Sequence, residues 1–333
     1  MEYILLYPET HRHLGLFADL EDMPNVAMFS IELPELNNAF LHFLRRVHTS
    51  WTINRYIPLP FREKWYVKPE MNIERNKEYC VIVLDGAMKG LKSSTLNELF
   101  VKDNVRGVLV LINSLEASSI AILENRKKFE KANWDAVYTF DFGDAEKYGY
   151  KYLGNCYYSK HDMPLACEKF PDEETSDIYF AGGLKGNRED LIISVFEMME
   201  QNGIRTNFNL SVSGTRRLEH NRYADQIRYQ SGRWQPYDKI LAGVSQTKVI
   251  LEILQKGQNG PSLRYYEAVC CNKRLLTNNP AAVNLPYYDA GFIKVFHSAA
   301  DIDYDWIKED ITGEYHYSGE FSPKYMLKRV LED

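Results

Sequence analysis

The sequence is short of several things, and each shortage removes a class of function. Positive charge is not in excess: the formal net charge is -6, with no basic tail and no arginine-rich block, so no nucleic-acid partner is expected. No window approaches the ~20 consecutive apolar residues that a helical membrane span needs, so any membrane contact would be peripheral. Cysteine is sparse. The five present, Cys80, Cys156, Cys167, Cys270 and Cys271, are odd in number and form no CxxC pair. That pattern suits reduced, packing cysteines of a cytoplasmic protein better than a disulfide frame or a zinc site. No P-loop or Ser–His–Asp set is recognisable. The amino terminus, MEYILLYPETHRH, has no basic start and no small-residue cleavage site, and reads as a first strand.

What is present is globular, with 45% apolar and 26% charged residues and a high aromatic load of 23 Tyr and 16 Phe. The length suits two domains. The first half alternates buried-strand runs with helical stretches. EYILLY, NVAMFSIEL, YCVIVLDG, VRGVLVLINS and DAVYTFD read as strands, and SSTLNELFVKD and SSIAILENRKKFEKAN as helices. In LPELNNAFLHFLRRVHTS, Leu36, Phe40, Phe43, Leu44 and Val47 are spaced to form one apolar helix face. Strands with helical crossovers predict an open, mostly parallel α/β sheet. The polar interval Lys160 to Ser176 reads as a linker, after which the same grammar restarts with SDIYFAGGLKGNREDLIISVFEMMEQ. There Gly182, Gly183 and Gly186 allow a tight turn, and Lys185 and Arg188 bring positive charge to a helix start. The spacing does not fit the GxGxxG dinucleotide fingerprint, and the acidic residue that follows it is missing.

The most informative stretch is Ser245 to Asn279, SQTKVILEILQKGQNGPSLRYYEAVCCNKRLLTNN. TKVILEIL reads as a strand buried on both faces, QKGQNGP as a glycine loop, Ser262 as a helix cap, LRYYEAVCC as a helix and KRLLTNN as a further strand. A strand, a glycine loop and a helix start make an anion site at the carboxyl edge of a sheet. Arg264 and Glu267 share one face of the first turn. A guanidinium suits a phosphate, and a carboxylate suits the two hydroxyls of a ribose.

GxSLRxYEA followed by a short apolar strand resembles the donor-nucleotide motif of the GT-B glycosyltransferases, in particular those of bacterial capsule and lipopolysaccharide assembly. The pattern DAxKYGxKYL, present as DAEKYGYKYL, is similar to the same family's first-domain ending. The resemblance implies two Rossmann-like α/β domains facing across a cleft: residues 1–165 for the acceptor, 175–320 for the donor, and a terminal helix, 321–333, packing back on the first domain. It implies that Glu267 holds the ribose, that Gly260, Ser262, Leu263 and Arg264 line the diphosphate, and that Gly182, Gly183, Lys185 and Arg188 approach it. The implied substrates are a nucleotide-sugar donor and a glycan or lipid-linked saccharide acceptor. No metal or other cofactor is expected. A GT-B-type epimerase and a non-catalytic nucleotide- or glycan-binding scaffold remain open.

For the base that would deprotonate an acceptor hydroxyl, Asp85 at the end of a buried strand is the first candidate, with His11 and Glu9 behind it. Gly86 is expected to leave room beside Asp85. Asp144 is expected to cap the helix DAEKYG, with Asp141 also structural. The DxD at Asp301 and Asp303 reads as helix capping. The stretch His48 to Glu70 interleaves Arg55, Arg62 and Lys64 with Trp51, Tyr56, Phe61, Trp65 and Tyr66. It reads as a packed loop or, if the acceptor is lipid-linked, as a surface for peripheral membrane contact.

Overall fold

The computed structural model describes the chain except at positions 9–14, 32, 34, 35, 51, 52, 54, 55, 58, 61, 118–129, 155–174, 185–187, 213–222, 224, 225, 232–235 and 333. Two compact units emerge. Unit 1 comprises Met1–Phe140, Asp144–Gly154 and Met326–Asp333; unit 2 comprises Asp141–Gly143 and Asn155–Tyr325.

Unit 1 is built on β1 (Glu2–Pro8), β2 (Val26–Ile31), β3 (Tyr79–Leu84), β4 (Val105–Leu111), β5 (Ala136–Thr139) and β6 (Lys151–Tyr152), in the spatial order β2-β1-β3-β4-β5-β6. Every pairing is parallel. A strand covered on both faces has no polar side to alternate with, which is why YCVIVL is buried at all six positions. The helices of this unit are α1 (Ala18–Glu21), α2 (Ala39–Thr49), α3 (Ser93–Phe100) and α4 (Phe142–Tyr148). Helix α3 brings Leu96 and Leu99 onto a core made by Val81, Val83, Leu109 and Leu111. Helix α2, whose apolar residues are spaced as one face, has no buried residue.

Unit 2 repeats the plan with β7 (Ser176–Gly183), β8 (Thr206–Val212), β9 (Ile227–Ser231), β10 (Thr247–Glu252), β11 (Arg274–Thr277) and β12 (Ile293–Val295). The order is β12-β11-β10-β7-β8-β9, again all parallel. Its helices are α5 (Glu189–Gln201), α6 (Tyr237–Ser245), α7 (Leu263–Cys270) and α8 (Tyr304–Lys308). One core lies between α5 and the sheet, where Ile192, Val195, Phe196 and Met199 meet Ile178, Phe180, Phe208 and Leu210. The last helix, α9 (Pro323–Glu332), runs from unit 2 into unit 1. There its Arg329 guanidinium donates to the carbonyls of Leu153 and Tyr152.

Several expectations need correction. The helix of 142–148 is capped by Asp141, whose Oδ1 accepts from Gly143 N–H at 2.9 Å. Asp144, the third residue of that helix, accepts instead from Leu115 N–H at 2.7 Å, so its carboxylate ties the helix to the segment after β4 and does not cap it. Strand β9 occupies a charged stretch in which no strand was read. Cys271 is disulfide-bonded, against the expectation of reduced cysteines throughout. It stands at the C-cap of α7 rather than within its buried face, whereas Cys80 and Cys270 are free and buried. The expected helix at 118–133 and linker at 160–176 fall almost wholly outside the described residues. Among the described residues no helix is long and apolar enough to cross a membrane.

The packing of α6 on β7 yields a test. Gly243 faces the ring of Tyr179, itself 1% exposed, and a Cβ at Gly243 would lie 2.3 Å from Tyr179 Cε2 and 2.5 Å from Cζ. Replacing glycine by alanine inside a helix ordinarily stabilises by roughly 1 kcal/mol. Overpacking a rigid buried ring costs about 1–3 kcal/mol, so here the clash wins. Gly243→Ala should lower stability in urea or thermal unfolding, and Gly243→Ala with Tyr179→Leu should recover most of the loss. A more stable single variant would contradict this packing.

Candidate functional site

In unit 2 the connections run outward in opposite directions from β7 and β10, which makes the gap between those two strands the topological switch point of the sheet. In open α/β sheets ligands bind outside the carboxyl ends of the strands at such a point. Strand β7 ends there in Gly182 and Gly183. Arg188, the residue before α5, folds back across the gap. Its Nε donates to Gly183 O at 2.9 Å, its Nη2 to the same carbonyl, and its Nη1 to Ile253 O just past β10 at 2.6 Å. Burial lowers its pKa to about 10, so the guanidinium stays cationic at neutral pH. Gly182 is needed here, since a Cβ would sit 2.9 Å from Phe180 Cζ and 3.3 Å from Arg188 Nη2. Thus Gly182, Gly183 and Arg188 do meet at the carboxyl edge. The arginine's donors serve two strand ends, however, and what it offers a ligand is its charge. Lys185 lies outside the described residues.

The loop from β10 to α7 is held by two carboxylates. Glu252, at the end of β10 and 1% exposed, accepts from Ser262 N–H at 2.7 Å and from Thr277 Oγ1–H at 2.6 Å. Burial raises its pKa against the pull of those donors and of the Arg264 charge. Asp141, which unit 2 draws from an otherwise unit 1 stretch, accepts through Oδ2 from Asn259 N–H at 2.8 Å and Gly260 N–H at 2.9 Å. Ser262 caps α7 as expected, its Oγ accepting from Arg264 N–H at 3.2 Å. Buried N–H groups require acceptors. The loop N–H groups of Gly260 and Ser262, read from sequence as diphosphate donors, are here taken by Asp141 and Glu252. Leu263 follows at the first helical position, half-buried.

One turn into α7, Arg264 Nη2 meets Glu267 Oε1 at 2.7 Å. The pair is interior: Glu267 is 0% and Arg264 8% exposed. Each partner keeps one buried polar atom without a hydrogen bond, Arg264 Nη1 and Glu267 Oε2, and Tyr179 Oη beside them has none either. Burial pushes the Glu267 carboxyl up to about 7, opposed by the Arg264 charge and the nearby Tyr237 hydroxyl, and reinforced by the Glu252 charge. Tyr237 in turn is raised well above its ordinary value by burial first and then by Glu267. The Tyr237 hydroxyl is thus a second polar neighbour of Glu267 besides Arg264. A buried polar atom left unpaired costs about 1–3 kcal/mol. Three of them around one ion pair make this the least satisfied polar cluster of unit 2 described here.

Sequence reasoning found Arg264 and Glu267 but not Glu252, Tyr179 or Tyr237, and it assigned Asp141 only a structural role. An acidic residue inside the apolar run TKVILEIL was the available signal for Glu252, since an unpaired charge is not kept in such a strand. Nothing local marked the two tyrosines.

In unit 1, Asp85 opens a 3₁₀ helix, Asp85–Lys89, directly after β3. Its Oδ1 accepts from Ile112 N–H at 3.2 Å and its Oδ2 from the Asn113 amide at 3.1 Å, tying the end of β3 to the end of β4. Burial raises its pKa to about 6 in spite of these donors. Gly86 leaves no open space beside it: a Cβ there would meet Pro8 Cγ at 2.9 Å. Glu9 and His11 lie outside the described residues. Asp301 closes a capping box with Ser298, and Asp303 caps α8 by accepting from Trp306 N–H at 3.1 Å while pairing with Lys294 at 2.5 Å. Among the described residues no three His, Cys, Asp or Glu side chains gather as metal ligands would.

No protein-family model matches the chain, and no curated protein matches its sequence. Solved structures do match. An α-glucosyltransferase in complex with UDP and a 13-mer DNA containing a HMU base aligns with a TM-score of 0.54 at 10% identity, over 99% of this chain and 98% of that one. AviGT4, a glycosyltransferase involved in avilamycin A biosynthesis, aligns with a TM-score of 0.50 at 7% identity, over 100% of this chain and 96% of that one. Likeness at such identities is likeness of fold, and the fold is α/β of the GT-B type, with two Rossmann-like units each built on a six-stranded parallel sheet.

Proposed function

We propose that the chain is a glycosyltransferase that transfers a sugar from a nucleotide-sugar donor to a glycan or lipid-linked acceptor in surface polysaccharide synthesis. The observation that carries this reading is the Arg264–Glu267 pair, buried at the carboxyl edge of the second sheet with one polar atom on each partner left unmatched. A nucleoside diphosphate supplies the missing partners: ribose hydroxyls donate to Glu267, and a phosphate oxygen accepts from Arg264. Because Glu267 is wholly covered, the ribose reaches it only as Arg264, the slightly exposed member, turns outward to the diphosphate. In the transfer the bond from the anomeric carbon to the diphosphate oxygen breaks and a bond to an acceptor oxygen forms. The acceptor's proton goes to a base, and the negative charge stays on the departing diphosphate. Arg264, Arg188 and Lys185 offset that charge. Asp85, with a pKa near 6, and Glu9 and His11 are the candidates for the base.

A second reading, a nucleotide-binding scaffold without turnover, is favoured by one observation: both Asp85 oxygens are engaged in tying β3 to β4. Release of UDP or GDP from a panel of nucleotide sugars separates the two readings. Turnover rejects the scaffold, and saturable binding without turnover rejects the enzyme. Binding itself should raise stability by roughly 2–3 kcal/mol at a hundredfold excess over Kd.

The pH dependence of Glu267 gives a sharper test. Its folded pKa, about 7, lies above the ordinary 4.5. Its favourable contribution to stability is therefore complete below pH 4.5 and lost as pH rises through 7. Glu267→Gln should flatten this fall, so that the variant gains on the wild type by about 2–3 kcal/mol at most between pH 5 and 8. Nucleotide affinity should move the other way in the wild type, tightening over the same range as the carboxylate forms. Glu267→Ala should weaken it by about 1.5–3 kcal/mol at pH 8. Parallel stability curves would remove the pKa assignment, and unchanged affinity in calorimetry would remove the ribose role.

Charge neutralisation by side chains also predicts that turnover survives excess EDTA. Loss on chelation and recovery with manganese would instead call for a metal ligand set, with Asp301 and Asp303 the first to substitute.

A further inference from the structure

Strand β7 carries a buried hydroxyl that the donor site described above leaves without a task. Side chains of a strand alternate between its two faces. In β7, Ile178 and Phe180 join the core against α5, and Val249, Leu251 and Ile253 reach the same core from β10 and the residue after it. Tyr179, Ile250 and Glu252 therefore point to the other face, where α6 and α7 lie, and Tyr179 and Ile250 are paired across the two strands. On that face the Tyr179 ring lies against Gly243 of α6 and is 1% exposed. Its hydroxyl has no hydrogen-bond partner within the protein. Burial raises its pKa to about 12, with the Arg264 and Arg228 charges pulling down and Glu267 adding to the rise. The phenol thus keeps its proton at neutral pH and stands within the field of the Arg264–Glu267 pair. Buried tyrosine hydroxyls ordinarily find a partner, so a function for this one has to be sought beside it.

The acceptor capacity of Glu267 supplies that function. A carboxylate has about four lone-pair positions. With Arg264 turned inward, the guanidinium and the Tyr237 hydroxyl are its polar neighbours. The ribose contact requires Arg264 to leave for the diphosphate, and a wholly buried carboxylate that loses its cation has to gain other donors. Two ribose hydroxyls fill two positions and the Tyr237 hydroxyl a third. We propose that Tyr179 supplies the fourth, as a positioning residue whose hydroxyl takes up Glu267 once Arg264 has swung to the diphosphate, so that the carboxylate is held for the ribose. The ring is fixed against Gly243, so the approach is made by the Glu267 side chain, which the departure of Arg264 frees. This rests on the donor-site reading and deepens it: two phenols let a buried carboxylate release its arginine without becoming an uncompensated charge.

The test is calorimetry of the full chain with UDP and with GDP at pH 8, together with thermal unfolding without nucleotide. Tyr179→Phe keeps the ring and its contact with Gly243, and removes only a hydroxyl that makes no bond inside the protein. It should therefore melt no lower than the wild type. Its nucleotide affinity should nonetheless fall by about tenfold or more, the loss of one hydrogen bond to a charged group. In a Glu267→Ala background the same change should cost no more than about twofold, since residues that act through one another are not additive. A merely structural tyrosine would lower stability and affinity together and would do so in both backgrounds. Equal affinity of Tyr179→Phe and wild type overturns the proposal, as does an equal loss with and without Glu267, or a lowered Tm of the single variant. A wild type that binds neither nucleotide rejects the donor-site reading itself, and the role of Tyr179 with it, whereas a wild type that binds while Tyr179→Phe binds as well rejects the role of Tyr179 alone.

Discussion

A carboxylate buried at the end of a strand has to be met by donors, and in unit 2 that requirement shapes the whole edge. Glu252 closes β10 with almost no exposure, and its two oxygens are satisfied by the N–H that begins the α7 cap and by the hydroxyl at the end of β11. Strand β10, the start of α7 and strand β11 are thereby fixed to one point. Helix direction and register follow, and with them the positions of Arg264 and Glu267. Removing Glu252 would leave two buried donors unpaired, a larger loss than the bonds themselves contribute.

Around that point the charges are finely divided. Asp141, Glu252 and Glu267 bring three carboxyl groups within a few residues of the loop and helix start, and Arg188 and Arg264 bring two guanidinium groups. The arginines are used differently. Arg188 is spent on main-chain carbonyls and keeps two strand ends together. Arg264 has a single side-chain partner and one unmatched nitrogen. Low dielectric makes a partly satisfied buried network costly. Burial keeps part of Glu267 protonated near neutral pH, which limits that cost.

Most of the strand framework could be read from the chain because a two-sided parallel strand needs an unbroken apolar run, and YCVIVL, VRGVLVL and TKVILE are such runs. Ser262 was legible as a cap, and Arg264 with Glu267 as an i, i+3 pair, because both are local relations. What stayed hidden is non-local. Asp141 acts on Asn259 and Gly260 across 118 and 119 residues, which no spacing rule reaches. Strand β9 sits in a charged stretch and pairs only with β8, its register set by tertiary context. Helix α2 was legible as a helix but not in its orientation, since a periodic apolar stripe records that a face exists and not what covers it. The Tyr179–Gly243 contact likewise depends on how α6 lies on β7.

The allocation of α9 has a consequence for how the molecule comes into being on the ribosome. Residues Met326–Asp333 belong to unit 1, with Met326, Leu327 and Val330 buried and Arg329 bonded to the carbonyls of Tyr152 and Leu153. Domains ordinarily fold in the order they are made, at about 5–20 residues per second. Here the unit translated first remains incomplete until the chain has been made through Arg329. It must carry an uncovered apolar surface while the whole of the second sheet is synthesised. The second unit has a smaller delay of the same kind, since β7 waits for β10 before the gap bridged by Arg188 can close. The unit that is begun first is thus the last to be sealed, and its intermediate is the species most in need of protection from aggregation.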